Sequence, residues 1–485
     1  MGIVFKQSFR NTLIIYLGFV FGGINALFLY TRFLKDEYYG LVTYLLSTAN
    51  LLMPLTAFGV QFTIIKFYSF YQTKPEKDAF LSSMLLLPLI IAIPIGFIGS
   101  LFYNQIGDLL SEENPIIKEY TFVIYLVAIA TAYFEIFYAW SKVQLQSVFG
   151  NILKELWNRI VAMILLFAVF LDWISKEEFI YYLTAAYFIR TLLMMLYAFK
   201  LYRLKFTFSF PENFPEILKY SAYIILAGSA SAILLDIDKA MLPSMETIEV
   251  VAYYGVAVYI GSTIEAPGRA MSYILQPLTS KAVYDEDHME ISSLYKKSSI
   301  NLFVICGLFF LLINASIKEL YLFLPDKYSG GVFVVLMISV SKLYSMAIGN
   351  NGAIISNSKY YKILLPYGIA MALSVAFLNV WLINLIGING AALSTLLVVL
   401  LFNSIKVWYV EKKFSMWPFT KKSGQLLLII LLFFMAFYFW DFPFHPLINM
   451  MLKSILITIL YVFVIKKRKI SDEINEVLAK YLPFF

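Results

Sequence analysis

The chain has 485 residues, 61% of them hydrophobic and only 14% charged, with a mean hydropathy of +0.77. A soluble chain carries about a quarter charged residues, so this composition excludes a water-exposed globular protein and makes lipid the solvent. The net charge of +7 is read as loops facing an anionic leaflet rather than as nucleic-acid binding.

A helix needs about 20 mostly apolar residues to cross the hydrocarbon core. Lys6 and Arg10 precede the first apolar stretch, Thr12 to Tyr30, which is long enough to span and lacks a small-residue cleavage site. It is therefore read as a retained first span rather than a signal peptide. In chain order the predicted spans are 12–34, 41–65, 79–103, 119–140, 158–174, 178–200, 217–237, 250–276, 299–317, 330–350, 362–385, 388–409, 424–441 and 446–465, about fourteen in all. With the N-terminus inside, 27 of the 38 Lys and Arg residues fall in inside segments and 8 in outside segments. Residues near span ends were counted with the adjoining segment; Arg190, Arg269 and Lys342 remain within spans. This asymmetry predicts that both termini are cytoplasmic. The segments "SKVQLQSVFGNILKELWNR" and "KKRKISDEINEVLAKYLPFF" carry apolar residues on one helical face and suit the membrane interface.

No loop exceeds about 20 residues and no GxxxxGK[ST] phosphate loop occurs. The single cysteine, Cys306, and two distant histidines, His288 and His445, leave no intrachain disulfide and no Cys or His metal cluster. No catalytic site, metal or cofactor is expected, and no enzyme.

"EYYGLVTYLLS" at Glu37–Ser47 is nearly repeated by "AYYGVAVYIGS" at Ala252–Ser262. Tyr39-Gly40 opens the second predicted span and Tyr254-Gly255 the eighth, so both copies enter from the same side. Pro54 and Pro267 follow at similar offsets and should break each span. Interruptions at corresponding places in two halves are a pointer to a transporter's site. The predicted fold is all-α: a six-helix bundle over 1–205, a second in parallel repeat over 206–420, and a last helix pair with a basic amphipathic tail over 421–485.

Ionisable residues within spans are costly and are candidates for function. Glu265 and Arg269 stand at i and i+4 around Pro267, as a functional group or a self-neutralising pair. Arg190 and Lys342 have no local acid, and Glu135 lies near the end of the fourth span. Arg32 ends the first span beside Asp36 and Glu37, while Asp236, Asp238 and Lys239 cluster at the end of the seventh. These end clusters are read as a gate or as solvated loop charges.

At these residues the chain resembles a family. "FRNTLIIYLGFVFGGINALFLYTRFLKDEYYGLVTY", with Arg32, Asp36-Glu37 and Tyr39-Gly40, is similar to the opening of polysaccharide-export flippases of the multidrug/oligosaccharidyl-lipid/polysaccharide (MOP) superfamily. "LLDIDKAMLPS", "VAYYGVAVYIGSTIEAPGRAM" and "NNGAIISNSKYYK" resemble its later segments, with Asp238-Lys239 in place of the commoner Asp-Arg. The resemblance implies alternating access and a polyprenyl-diphosphate-linked glycan as cargo, passed from the cytoplasmic to the outer leaflet for cell-surface polysaccharide synthesis. Arg32, Arg190, Arg269 and Lys342 would bind the diphosphate. Glu135, Glu265, Asp236, Asp238 and Lys239 would be cavity or gating groups, with Na⁺ or H⁺ as candidate coupling ions and a monomer as the default state. The competing readings are a cation-coupled multidrug extruder of the same superfamily, a peptidoglycan-precursor flippase, and a membrane scaffold in a glycan-synthesis complex. Unpaired intramembrane charges speak against the scaffold.

Overall fold

The structure, a computed structural model, describes residues 2–481. The side chains at 2–6, 8, 9, 226–232, 235 and 481 lie outside the described set. Among the described residues the chain is helical throughout, with no strand. It divides into two compact units. The first holds Phe9–Gly255 and Leu365–Gly387; the second holds 256–364 and 388–481 together with residues 2–8.

In chain order, α1 (Gly2–Ile24) passes through a π turn at Asn25–Leu29 into α2 (Tyr30–Phe33). There follow α3 (Asp36–Ala57), α4 (Val60–Phe67), α5 (Lys74–Leu101), α6 (Tyr103–Leu110) and α7 (Ile116–Val143). Next, α8 (Val148–Ile152) runs through a second π turn, Leu153–Trp157, into α9 (Asn158–Phe170). Beyond it come α10 (Lys176–Leu201), α11 (Phe214–Met241), α12 (Ile248–Ser262), α13 (Ala266–Tyr284), α14 (His288–Ala315) and α15 (Ile317–Tyr321). The remainder are α16 (Val332–Ala347), α17 (Asn351–Asn357), α18 (Leu364–Ile386), α19 (Ile388–Phe414), α20 (Lys421–Tyr438), α21 (Pro446–Lys467) and α22 (Asp472–Tyr481).

Local chemistry sets the helix starts. Thr73 and Glu76 form a capping box ahead of α5, Ser175 and Glu178 do the same for α10, and the Asp287 carboxylate accepts from the Glu290 amide at α14. Each satisfies amides that have no partner in a first helical turn.

Among the described residues, eleven helices are long and apolar enough to cross a membrane. The three other predicted spans are also helical but interrupted or only partly described. The 158–174 segment begins at the second π turn. The 250–276 segment is split by a 3₁₀ turn at Thr263–Glu265. The 217–237 segment falls on α11, several of whose side chains are outside the described set. The geometry thus gives a many-spanning helical protein without fixing the number at fourteen.

The spans that carry Pro54 and Pro267 are both interrupted, whereas α5 runs unbroken through Pro88 and Pro94. Pro54 lies within the last turn of α3, which ends at two left-handed residues, Phe58 (φ 49°) and Gly59 (φ 66°), before α4 resumes. Gly59 is required twice over: it takes a backbone conformation costly for other residues, and a Cβ there would lie 2.8 Å from the Ser221 carbonyl of α11. The Thr63 and Ser221 hydroxyls bond at 2.6 Å beside it. Pro267 sits in the first turn of α13, immediately after the 3₁₀ turn.

Lipid-facing and core faces follow helical period. Ile90, Ile93, Phe97 and Leu101 of α5 are all exposed along one stripe, which hydrocarbon solvates at no cost. In the first unit the core is aromatic: Phe67, Phe80, Phe134, Tyr138 and Trp140 are all buried together. In the second, Gly307 of α14 lets Ile430 of α20 and Tyr461 of α21 close in, and Tyr461 donates to the Val304 carbonyl at 3.0 Å.

Candidate functional site

Polar groups that lipid cannot solvate gather at separate places in each unit. In the first, Arg190 of α10 is buried to 5% exposure. Its Nη2 donates to Thr131 Oγ1 of α7 at 3.3 Å, and its guanidinium lies over the rings of Phe134 (4.2 Å) and Tyr187 (4.8 Å). Its Nε has no hydrogen-bond partner. The expectation of no local acid meets an aromatic cradle rather than an ion pair, a geometry that suits the flat guanidinium. Glu135 is answered by Lys154 at 2.6 Å.

The cluster at the end of α11 divides. Asp236 is held by Lys239 at 2.8 Å and by Asn50 of α3 at 3.1 Å. Asp238 turns elsewhere: Tyr254 of α12 and Asn379 of α18, the latter at 2.9 Å, donate to its two oxygens. Residues at i and i+2 project about 200° apart on a helix, so these two acids were bound to face different neighbours. Both are buried, which replaces the reading of solvated loop charges at this end. Arg32, by contrast, is exposed in the last turn of α2.

In the second unit, Lys342 of α16 pairs with Glu265 at 2.7 Å, with side chains only 14% and 18% exposed. Glu265 belongs to the 3₁₀ turn rather than to a continuous helix through Arg269, and it engages a partner 77 positions away. Arg269 is half-buried one turn into α13. Along the same α16 face, Ser345 accepts from Asn403 of α19 at 3.0 Å. Near the end of α16, Asn350 donates to Thr279.

A further buried cation lies in α21. Lys453 is 1% exposed and binds Glu319 at 2.8 Å, Asp441 and the Ala315 carbonyl at 3.1 Å. Asn449 donates to Glu319 at 2.6 Å and accepts from the Phe442 amide at 3.0 Å. The Lys453 bond is the largest of the influences that hold the Asp441 carboxyl below the usual carboxylate range. A depressed folded value stabilises the fold at pH above the unfolded carboxyl range of about 4 and gives that stability up as the pH falls through it. The melting temperature of the wild type should therefore drop more steeply below about pH 4 than that of Asp441→Asn. Parallel curves would exclude this linkage.

The family model described as polysaccharide biosynthesis protein matches residues 6–267, more than half of the chain. The chain belongs to the polysaccharide biosynthesis protein family. No curated protein matches it. Among solved structures, this family member is similar to the lipid II flippase MurJ in an inward closed conformation. The TM-score is 0.69 at 16% identity, over 95% of this chain and 99% of that one. It is also similar to an inward-facing multidrug resistance MATE transporter of the MOP superfamily (TM-score 0.61, 14% identity, 84% of this chain and 98% of the other). A third likeness is a MOP superfamily transporter from Pyrococcus furiosus, described as having a binding pocket of reversed polarity (0.57, 11%, 85% and 95%). At such identities the likeness shows the fold alone, which is the one these transporters share.

In this member of the family, three charged residues important to the interior escaped the sequence reading. Arg159, Lys406 and Lys453 were counted with flanking loops, yet they lie within α9, α19 and α21. A signal existed for Lys453, which stands alone in the apolar run "MMLKSILITIL". Its acids did not advertise themselves, because Glu319 and Asp441 sit in or beside loops and only the fold brings them inward.

Proposed function

We propose that the protein is a flippase that moves a polyprenyl-diphosphate-linked oligosaccharide or polysaccharide precursor across the membrane by alternating access. Family membership supports the glycan pathway, and the fold supports transport. The observation that carries the reading is Arg190: a guanidinium buried among transmembrane helices, cradled by aromatic rings and with an N–H unspent. Ionised groups at such depth are costly and are retained for a cargo or a relay. A diphosphate is the anion that a guanidinium fork binds best. Arg32, Arg269 and Lys342 are the other cations assigned to the cargo. Glu135, Glu265, Asp236, Asp238 and Lys239 are assigned to pairing and gating, and the breaks near Pro54 and Pro267 to bending. The protein works in the cytoplasmic membrane as a monomer with both termini cytoplasmic. Its two six-helix halves, 1–205 and 206–420, precede the pair 421–485, and Na⁺ or H⁺ is a candidate driving ion. A peptidoglycan precursor is the second reading, favoured by the 95% coverage of this chain by the lipid II flippase structure against 84% by the MATE structure.

The test is leaflet transfer of polyprenyl-diphosphate oligosaccharide in liposomes holding only the purified protein, read with an impermeant glycan-modifying enzyme. Transfer well above empty liposomes is expected. Arg190→Gln and Lys342→Gln should each lower it at least about tenfold, the effect of losing about 1.4 kcal/mol of recognition. Unchanged transfer in both variants removes the assignment; movement of a cationic dye against an ion gradient, with no glycan transfer, makes the protein an extruder.

A further inference from the structure

The chain between α10 and α11 leaves the helical pattern of the rest. Tyr202 ends α10 with β geometry (φ −142°, ψ 112°), and from Arg203 to Phe210 the backbone makes no helical turn. One side of this strap is fastened to α5. The Tyr202 hydroxyl donates to the Asp78 carboxylate at 2.9 Å, the Lys205 amide to the same oxygen at 3.3 Å, and the Thr207 amide to Ser82 Oγ at 3.1 Å. Asp78 and Ser82 are both buried, and Tyr202 and Leu204 pack against the aromatic core of the first unit.

The strap turns Phe206, Phe208 and Phe210 away from the protein, exposed to 51%, 79% and 55%. Every second side chain of an extended segment shares one face, and the Phe206 and Phe208 rings meet edge to face at 5.2 Å. Lys200, Arg203 and Lys205 are exposed beside them. None of the three makes an ion pair among the described residues, and no acid occurs in the sequence between Glu178 and Glu212. The Lys205, Thr207 and Ser209 amides all have side-chain acceptors. Those of the three phenylalanines have no partner among the described residues.

The depth of the strap follows from α5, one of the helices able to cross a membrane. Asp78 is its last charged residue; none follows as far as Leu101. Ser82 stands one turn further along, about 6 Å at the helical rise. The strap thus starts beside the last charge of a spanning helix and reaches the edge of its uncharged length. That is the level of lipid headgroups, where apolar rings meet acyl chains and cations meet phosphates. Free amides find acceptors there too, which the hydrocarbon core would deny them.

We infer that residues 200–210 form a clasp for anionic phospholipid at the membrane interface. Phe206, Phe208 and Phe210 sit among the acyl chains, and Lys200, Arg203 and Lys205 meet the headgroup phosphates. The contact is independent of the proposed cargo; only the leaflet it engages rests on the proposed orientation. A stable patch of exposed phenylalanine needs a cover, and the combination of depth, charge and unspent amides makes that cover a lipid surface.

The single cysteine, Cys306, is fully buried, so Phe208→Cys in the full-length protein can be labelled alone with bimane. The label is read in vesicles of phosphatidylcholine and phosphatidylglycerol, with each lipid brominated in turn and iodide as the aqueous quencher. Glu212→Cys, exposed further along the same linker, is the water-facing control. All these positions are exposed, so the variants should fold normally. The label at 208 should be quenched by iodide several-fold less than the control. It should also show a preference for brominated phosphatidylglycerol over brominated phosphatidylcholine of about tenfold. Arg203→Gln combined with Lys205→Gln should remove most of that preference. Equal quenching by the two brominated lipids would overturn the clasp, as would iodide access at 208 equal to that at 212. Iodide access in these vesicles that is lost in native membranes would assign the face to a protein and overturn it as well.

Discussion

Lys453→Met is expected to destabilise the protein by about 3–5 kcal/mol, the usual cost of breaking a buried ion pair by removing one partner. Lys453 is almost fully buried, and its ammonium serves Glu319, Asp441 and a backbone carbonyl together. Without it the Glu319 carboxylate, itself buried and with Oε2 already lacking a partner, is left charged in a low-dielectric setting. Most of the effect belongs to Glu319, because the Asp441 side chain is 53% exposed and solvent screens its share. Thermal unfolding in detergent checks this. The variant should melt well below wild type, and adding Glu319→Gln and Asp441→Asn should return much of the loss, since a neutral set needs no counter-charge. A single variant that melts like wild type would show that the network contributes nothing. The consequence reaches beyond stability, because these contacts tie α21 to the end of α14 and to α15 and so decide how the last helix pair is held.

Gly40→Ala carries the second large effect. A Cβ at Gly40 would lie 1.8 Å from the Ile248 carbonyl oxygen and 2.7 Å from its carbon. The obstacle is backbone at the start of α12, which cannot rotate away, so the expected cost is at or above the upper end of the ~1–3 kcal/mol typical of overpacking. Gly255, its counterpart in the repeated sequence, meets only the Thr43 side chain, with Cγ2 at 3.2 Å. Gly255→Ala should therefore cost less than about 1 kcal/mol. The yield of monodisperse protein and its melting temperature would compare the two. Equal losses would contradict the asymmetry. The two Tyr-Gly copies are alike in sequence, but the structure sets Gly40 against a backbone and Gly255 against a side chain.

The membrane character of the chain was legible because it depends on composition and on runs of apolar residues, which packing does not alter. The helix breaks near Pro54 and Pro267 were expected from proline's missing backbone donor, but proline alone did not fix them: α5 runs unbroken through Pro88 and Pro94, and the break after Pro54 falls at the left-handed pair Phe58 and Gly59. What sequence spacing could not supply was partnership. Glu265 stood four residues from Arg269, yet it meets Lys342, because the 3₁₀ turn at Thr263–Glu265 ends the helical register that the spacing assumed. Asp236 and Asp238 were neighbours in the chain and face different partners in space. Arg159 was counted with a loop because it lies at the edge of an apolar run, where span ends are uncertain by several residues; Lys453 lies inside its run and was misplaced.

The sequence by itself determined the solvent, the helical class, the family resemblance and the residue types able to meet an anion, all of which are properties of local composition and order. Only the tertiary structure decided which charges are spent on one another and which are left over. Ion pairing acts over a few ångströms between groups that may be more than a hundred residues apart, as Lys453 and Glu319 are. The long-range packing of α7 against α10, not the order of residues in either, brings the Phe134 ring of α7 over the Arg190 guanidinium of α10.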